Sequence, residues 1–318
     1  MERDTFMNVL PCSVRAAVTR ERLKYPKLQE LRMRVGKPLL LIYKGKERMV
    51  RDRQNEPYIV TKEEIREMLE YVSNYSLYAY EQEMKQGFIT IEGGHRVGIT
   101  GQAIIENGRV KNLRYISSIN LRMSHEVLGC ADAVFPYITQ EGRVCHTLIV
   151  SPPGCGKTTL LRDLVRQISD GNRWVDGMAV GVVDERSEIG GCYMGVPQNQ
   201  LGMRTDILDG CPKAEGMTML IRSMNPEVLA VDEIGTAEDV HAVEHAMHCG
   251  CRMIATVHAD SMEELRRKPL FDRMIAEKCF ERYIVLKNGE QIGQVESLFD
   301  SRGSLLYSEP RTKETLCC

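Results

Sequence analysis

Residues 151–160 read SPPGCGKTTL, a glycine-rich loop that runs into a lysine and two threonines. A short apolar run over residues 146–150 precedes the loop, and an amphipathic helical pattern over residues 157–168 follows it. A strand, a glycine-rich loop and a helix in this order turn consecutive backbone N–H groups toward a polyphosphate. The segment therefore predicts a P-loop that binds the phosphates of ATP together with magnesium.

Individual positions in this loop have distinct predicted roles. Gly154 and Gly156 permit backbone angles and a close approach that a side chain would block. Lys157 is expected to reach the β- and γ-phosphates, and Thr158 to ligate Mg²⁺ through its hydroxyl. Ser151 replaces the first glycine of the usual G-x-x-x-x-G-K-[ST] pattern, and we expect it to be tolerated because residues 154–159 build most of the phosphate nest. The predicted nucleotide contacts are Ser151, Pro152, Pro153, Gly154, Cys155, Gly156, Lys157, Thr158 and Thr159.

A second motif, VLAVDE at residues 228–233, places two carboxylates after four apolar residues. At the end of a buried parallel strand, Asp232 is predicted to face the magnesium ion held by Thr158. Glu233 is predicted to polarise the attacking water. Many strands end in acidic residues, so this motif alone is weak evidence for a magnesium site. Its position after the predicted P-loop strengthens the prediction.

A third acidic cluster, VDERSE at residues 183–188, follows another predicted strand. Neighbouring parallel strands present their carboxyl ends to one crevice. Glu185 and Glu188 are therefore candidates for a place near the magnesium-bound water or the γ-phosphate. A charged surface loop is the alternative interpretation.

The chain changes character near residue 140. Residues 1–140 predict a small α+β domain, with a capping box from Thr61 to Glu64 and a hairpin turn at Gly93-Gly94. Residues 141–318 alternate buried strands with helices, which predicts a mostly parallel sheet covered on both faces, followed by a hairpin around Asn288-Gly289. The predicted helices are residues 13–25, 62–74, 157–168, 214–223 and 236–248. The predicted strands are residues 28–35, 38–43, 87–92, 96–105, 146–150, 178–183, 228–231, 251–257, 283–286 and 291–298.

The composition is that of an ordinary globular chain, with 43% apolar residues, 27% charged residues and a formal net charge of −2. No segment approaches the ~20 apolar residues of a membrane helix, and the first residues lack the core of a signal peptide. Eleven scattered cysteines without a CxxC pair favour free thiols. We therefore expect a cytoplasmic protein that is able to dock on a membrane complex, and the charge balance does not exclude nucleic acid as a partner.

Together these segments resemble the hexameric secretion ATPases of type II and type IV systems. Four boxes of that family occur in order: SPPGCGKTTL as Walker A, VVDERSE as the Asp box, VLAVDEIG as Walker B, and ATVHAD at residues 255–260 as the His box. The resemblance implies a RecA-like core, hydrolysis of ATP with Mg²⁺, a homo-oligomer that is a hexamer by analogy, and an approach of His258 to the γ-phosphate. Considered alone, a histidine at a strand end is more often structural.

Three longer strings resemble one subgroup, the stage III sporulation AA family. They are VVDERSEIGG at residues 182–191, the stretch over residues 114–122, and GGHRVGITGQA at residues 93–103. This likeness extends over nearly the whole chain. It implies a mother-cell ATPase of endospore-forming bacteria that energises a secretion-like channel toward the forespore, with membrane-embedded sporulation proteins as its partners.

The chain departs from the secretion ATPases at Walker B, where Asp232-Glu233-Ile234-Gly235 replaces their usual Gly-Glu-Ile-Arg. Arg222 matches an arginine that precedes their Walker B strand, so the resemblance implies a nucleotide contact there. Arg122 is a second predicted contact, and Arg96 and Arg114 are further candidates for reaching the phosphates or a neighbouring subunit. Most arginines of a charged chain are merely solvated.

Two other functions fit the same motifs. A nucleic-acid-dependent motor can share this core, and the basic segment over residues 109–122 would then follow the phosphate backbone with a strong salt dependence. A slow ATP-gated scaffold is the second. Stimulation by single-stranded DNA would favour the first, and turnover measured with and without partner proteins distinguishes a scaffold from a motor.

Overall fold

A computed structural model describes residues 5–76, 80–287 and 293–308. Contacts divide the chain into two compact units, Met1–His125 with Gly191–Asn199, and Glu126–Gly190 with Gln200–Cys318. The chain therefore passes from one unit to the other three times. The predicted boundary between residues 140 and 141 falls inside the second unit. The division into two independent domains, residues 1–140 and 141–318, stays a prediction.

The first unit is built from short helices and an antiparallel sheet. Its elements are α1 (Thr5–Asn8), α2 (Cys12–Arg20), β1 (Leu28–Arg34), β2 (Leu40–Tyr43), β3 (Lys46–Met49), α3 (Lys62–Val72), α4 (Glu81–Gln86), β4 (Phe88–Ile91), β5 (His95–Glu106) and β6 (Arg109–Arg122). The sheet order is β3-β2-β1-β6-β5-β4. Val14 of α2, Met68 of α3 and Leu121 of β6 are fully buried in one core. This architecture confirms the predicted α+β unit.

Helix α3 begins where the sequence predicts. The Thr61 hydroxyl accepts a hydrogen bond from the Glu64 N–H at 3.2 Å, and the Glu64 carboxylate accepts one from the Thr61 N–H at 2.9 Å. The same buried carboxylate accepts a hydrogen bond from the Ser13 hydroxyl of α2 at 2.5 Å. One side chain therefore caps α3 and joins it to α2.

The predicted hairpin of β4 and β5 is confirmed, and both glycines of its turn have positive φ, 83° at Gly93 and 72° at Gly94. Residues 109–122, for which the sequence suggested only a basic segment, form the long strand β6. This strand pairs with β5 along most of its length and with β1 through residues 118–122.

The segment 191–199 is held in the first unit by side-chain hydrogen bonds. The Gly93 N–H donates to the Gln198 side-chain oxygen at 3.0 Å, and the Asn74 amide donates to the Tyr193 hydroxyl at 2.9 Å. These contacts explain why a short stretch, embedded in the sequence of the second unit, belongs to the first.

The second unit is an α/β structure. Its elements are α5 (Phe135–Ile138), β7 (Thr139–Gln140), β8 (Arg143–Val144), β9 (Thr147–Ser151), α6 (Lys157–Asp170), β10 (Val180–Asp184), β11 (Thr205–Asp209), α7 (Lys213–Met224), β12 (Val228–Val231), α8 (Ala237–His248), β13 (Arg252–His258), α9 (Met262–Arg267), α10 (Pro269–Ala276), β14 (Arg282–Leu286), β15 (Val295–Asp300) and β16 (Leu305–Ser308). Eight strands form one sheet in the order β11-β10-β12-β13-β9-β14-β15-β16. Strands from β11 to β14 in this order run parallel, whereas β15 and β16 are antiparallel.

Both faces of the central strands β9, β10 and β12 are buried. In β9, Ile149 packs into a cluster with residues of α6, whereas Leu148 and Val150 pack into a second cluster with residues of α8. Strands covered on both sides are apolar throughout rather than alternating. This is the pattern from which the mostly parallel sheet was predicted, and the prediction is confirmed.

The structure adds elements that the sequence did not predict. They are α1, β3, α4 and β6 in the first unit, and α5, β7, β8, β11, α9, α10 and β16 in the second. Strands β14 and β15 pair as the predicted hairpin, but its turn at Asn288-Gly289 lies outside the described residues. Within the part of the chain that the structure describes, no helix is both long and apolar enough to cross a membrane.

Residues 185–190, called the arm below, follow β10 and are anchored by Asp184. This carboxylate, 2% exposed, accepts the backbone N–H groups of residues 188, 189 and 190 at 2.8, 2.9 and 2.8 Å. The arm is therefore fixed to the end of a central strand by its main chain.

Two further contacts hold the arm. The buried guanidinium of Arg162 in α6 donates to the carbonyl oxygens of residues 188 and 189, each at 2.8 Å. The Ser187 hydroxyl donates to the Asp209 carboxylate of β11 at 2.5 Å. The arm is therefore tied to α6 and β11 as well as to its own strand.

The cap of α3 gives a first testable prediction. Thr61→Ala removes the oxygen that accepts the Glu64 N–H, so we expect the free energy of unfolding to fall by about 1 kcal/mol. Equilibrium urea denaturation measures the loss. Thr61→Ser keeps the hydroxyl and serves as the matched control, and an equal loss in both variants would contradict the capping role.

The anchor of the arm gives a second prediction. Burial raises the pKa of Asp184 from 3.8 to about 6, against the opposing effect of the N–H groups that it accepts. Because the folded state binds this proton more tightly, the stability that it contributes is lost as the pH rises from about 4 to about 6. Asp184→Asn cannot titrate.

We therefore expect the unfolding free energy of the wild type, relative to that of Asp184→Asn, to fall as the pH rises across this interval. Above the interval the difference should be constant. Urea denaturation in buffers that span the interval measures it, and a difference that does not change with pH would contradict the raised pKa.

Candidate functional site

The glycine-rich loop connects β9 to α6, as predicted. Gly154 and Gly156 have φ of 79° and 91°, in the left-handed region that favours glycine. Gly156 is also the N-cap residue of α6, so the first N–H groups of that helix have no hydrogen-bond acceptor within the helix. Ser151, which replaces the usual first glycine, is fully buried and donates its hydroxyl to the Pro152 carbonyl at 2.8 Å.

The first two residues of α6 meet the end of β12. The Thr158 hydroxyl donates to the Asp232 carboxylate at 2.6 Å. The Lys157 ammonium, on a side chain that is 10% exposed, lies 3.6 Å from Asp232 and 3.9 Å from Glu233. The fold thus brings together the two motifs that the sequence identified separately, although their roles toward ATP and Mg²⁺ stay predictions.

Glu233 has a constrained backbone, and Thr256 of β13 stabilises it. The φ of Glu233 is 55°, which is unusual for a residue with a side chain. Its N–H donates to the Thr256 hydroxyl at 2.8 Å, and that hydroxyl donates to the Asp232 carboxylate. Thr256 was not among the residues predicted from the sequence. Its position two residues before His258 on a strand, and therefore on the same face, was the available signal.

His258 lies beside Glu233. Its Nε2 is 3.4 Å from one Glu233 carboxylate oxygen. Its Nδ1 is buried and has no hydrogen-bond partner among the residues that the structure describes. The imidazole is therefore in contact with the predicted catalytic carboxylate of Glu233. Its approach to the γ-phosphate stays a prediction.

The arm contributes Arg186, which was not among the predicted site residues. The Arg186 guanidinium lies 2.9 Å from the second carboxylate oxygen of Glu233. Glu185 instead forms an ion pair with Lys213 of α7. Glu188 is half-buried, and its main chain bonds to Asp184 and Arg162. The proposed places of Glu185 and Glu188 near the nucleotide stay predictions.

The remaining predicted contacts are distributed over both units. In the loop, Pro152 and Cys155 are buried, Pro153 and Gly154 are exposed, and Thr159 is half-buried. Arg222 is exposed in the last turn of α7. Arg122 belongs to the first unit, where it lies 3.6 Å from Glu30. Nucleotide contacts by these two arginines stay predictions.

The fold is similar to those of known ATPases. The chain superimposes on the ATPase DotB of Yersinia pseudotuberculosis with a TM-score of 0.60 at 13% identity, over 92% of this chain and 80% of DotB. For the ATPase DotB of Legionella pneumophila the TM-score is 0.57 at 16% identity, over 86% and 76% of the two chains. For the pilus retraction motor PilT with bound ADP it is 0.57 at 13% identity, over 92% and 83%. At these identities the likeness concerns the fold, and it confirms the predicted RecA-like core.

Sequence comparison identifies the family. Residues 1–306 match the family model described as sporulation stage III, protein AA. The stage III sporulation protein AA of Bacillus subtilis (strain 168) is 43% identical over 299 residues, which cover 94% of this chain and 95% of that protein. The predicted resemblance is therefore confirmed, and the chain belongs to the stage III sporulation protein AA family.

Proposed function

We propose that this protein is a Mg²⁺-dependent ATPase of the secretion-ATPase type. The observation that carries the proposal is the hydrogen bond of 2.6 Å from Thr158 to Asp232, with the Lys157 ammonium 3.6 Å from the same carboxylate. A hydroxyl and carboxylate oxygens are the hard donors that Mg²⁺ prefers. P-loop ATPases hold the ion with these two residue types, so Thr158 and Asp232 fit the group.

Binding of ATP rearranges the contacts of the loop. Bound Mg²⁺ would supply positive charge to the β- and γ-phosphate oxygens. The N–H groups of residues 154–159 would donate to the phosphates, and the Lys157 ammonium would leave the two carboxylates for the γ-phosphate. The loop therefore exchanges internal ion pairs for contacts with the nucleotide.

Glu233 acts as the base in the proposed hydrolysis. It accepts a proton from water while the water oxygen bonds to the γ-phosphorus, and the bond from that phosphorus to the β–γ bridging oxygen breaks, releasing ADP and phosphate. His258, 3.4 Å away, orients the Glu233 carboxylate. Glu185 and Glu188 are further candidates for orienting the water, and Arg122 and Arg222 for contacting the nucleotide.

The biological role follows from the family. We infer that hydrolysis energises a sporulation channel complex between mother cell and forespore. The protein would work from the mother-cell cytoplasm as a homo-oligomer, a hexamer by analogy, docked on membrane-embedded partners. The family membership and the likeness to DotB and PilT support this inference.

Solution mass with and without a non-hydrolysable ATP analogue tests the oligomer, and stimulation by single-stranded DNA would favour a nucleic-acid motor instead.

Two substitutions separate binding from turnover. Lys157→Ala should weaken ATP binding at least about 10-fold, because it removes a cation from the phosphates. Glu233→Gln should keep binding and lower kcat by about 10²- to 10⁴-fold, because an amide cannot accept the proton. Binding of a fluorescent ATP analogue and release of phosphate measure the two effects.

Lys46→Ala is the matched control for the lysine, since it removes an exposed ammonium from β3 of the first unit. It should leave both quantities unchanged. Hydrolysis that persists undiminished in Lys157→Ala and in Glu233→Gln would refute the catalytic assignment.

A further inference from the structure

The Arg186–Glu233 ion pair is a feature of the site that ATP binding does not require. Its donor–acceptor distance is 2.9 Å, the Arg186 side chain is 59% exposed, and the Glu233 side chain is 30% exposed. Both partners follow strands of the central sheet, β10 and β12, which are hydrogen-bonded neighbours. The pair therefore forms at the carboxyl edge of the sheet, beside Lys157.

Both residues of this pair lie in restrained segments of the backbone. On one side, the arm that carries Arg186 is fixed by Asp184, by Arg162 and by the bond from Ser187 to Asp209. On the other side, the Glu233 N–H is bonded to Thr256. Because both backbones are restrained, the approach of the two side chains is a property of the fold and needs little further ordering of the main chain.

The pair occupies one of the two Glu233 carboxylate oxygens, and His258 lies beside the other. One Glu233 oxygen faces Arg186 at 2.9 Å and Lys157 at 3.9 Å, and the other faces the His258 Nε2 at 3.4 Å. A general base must offer a lone pair within hydrogen-bond reach of the water that it deprotonates. Lys157 is expected to move to the phosphates, but nothing in that movement releases the Arg186 guanidinium.

We propose that Arg186 is a positioning residue that holds Glu233 in an inactive ion pair while the site is empty, and that this pair breaks before the transition state. The inference rests on the proposed ATPase function. In this inference the arm lowers the basal rate of ATP hydrolysis. It does so by holding Glu233 and not by contacting the nucleotide.

The expected effect follows from the definition of kcat/KM, which compares the transition state with the separate protein and substrate. An interaction that is present in the empty protein and absent in the transition state lowers kcat/KM by its full strength, whichever step breaks it. Partly exposed ion pairs of this kind correspond to about a 2- to 5-fold change in an equilibrium constant.

The test is steady-state phosphate release by the purified full-length chain over a range of ATP concentrations. We expect kcat/KM of Arg186→Ala to be about 2- to 5-fold above the wild type. Arg186→Lys retains a cation and should stay within about 2-fold of the wild type. Arg143→Ala is the matched control, because its side chain is 62% exposed and lies 3.9 Å from Glu141 outside the site.

A kcat/KM that is unchanged or lower in Arg186→Ala would overturn the inference, because the pair would then persist in the transition state or contribute to it. A gain in Arg186→Lys equal to that in Arg186→Ala would overturn it as well. Failure of the proposed function has a different signature. In that case the wild type would show no hydrolysis, or hydrolysis that Lys157→Ala does not reduce.

Discussion

The hydrogen bond from Thr158 to Asp232 joins residues 74 positions apart, and it depends on the order of three strands. Strand β9 leads into the loop and α6, β12 leads to Asp232, and β13 lies between them in the sheet. Asp232 therefore has to reach past one intervening strand to contact α6. Thr256 of that strand lies in the path and bonds both to Asp232 and to the N–H of Glu233. The site is thus a product of sheet topology, and a different strand order would separate its parts.

The charges around this hydrogen bond are balanced by side chains of the protein itself. Asp232 and Glu233 face the ammonium of Lys157 and the guanidinium of Arg186, with the imidazole of His258 beside them. Two adjacent carboxylates without such partners would repel each other and carry a desolvation cost. The triphosphate of ATP brings negative charge and its metal brings positive charge. In the proposed function, ATP and Mg²⁺ would therefore have to displace these ion pairs in order to bind.

Much of this architecture could be predicted from local sequence patterns. The glycine-rich loop between β9 and α6, the capping box of α3 and the apolar strands β9 and β12 each depend on residues adjacent in sequence. Strand β11 was missed because Asp206 and Asp209 give it a polar, half-buried character at the sheet edge. Strand β6 was missed because its outer part is exposed and charged, so that part lacks a clean alternation.

The contacts within the site were harder to predict for a different reason. Arg186 meets Glu233 across 47 positions, and Thr256 meets Asp232 across 24. Neither residue type is distinctive, since threonines are common in strands and arginines are common in charged loops. Their importance arises from the register of neighbouring strands, which a single sequence does not reveal. The motif residues were predictable, whereas the residues that orient them required the fold.

The segment 191–199 has a consequence for how the two units can be separated. Because the first unit is assembled from two stretches of chain, no single cut leaves both units whole. A fragment that ends at residue 125 lacks the stretch that carries Tyr193 and Gln198, and the complementary fragment carries that stretch without its partners. A chimera that exchanges the first unit must therefore replace both stretches together. The arm ends at Gly190, one peptide bond before the segment 191–199. The first unit is therefore not a single continuous module that can be exchanged by itself.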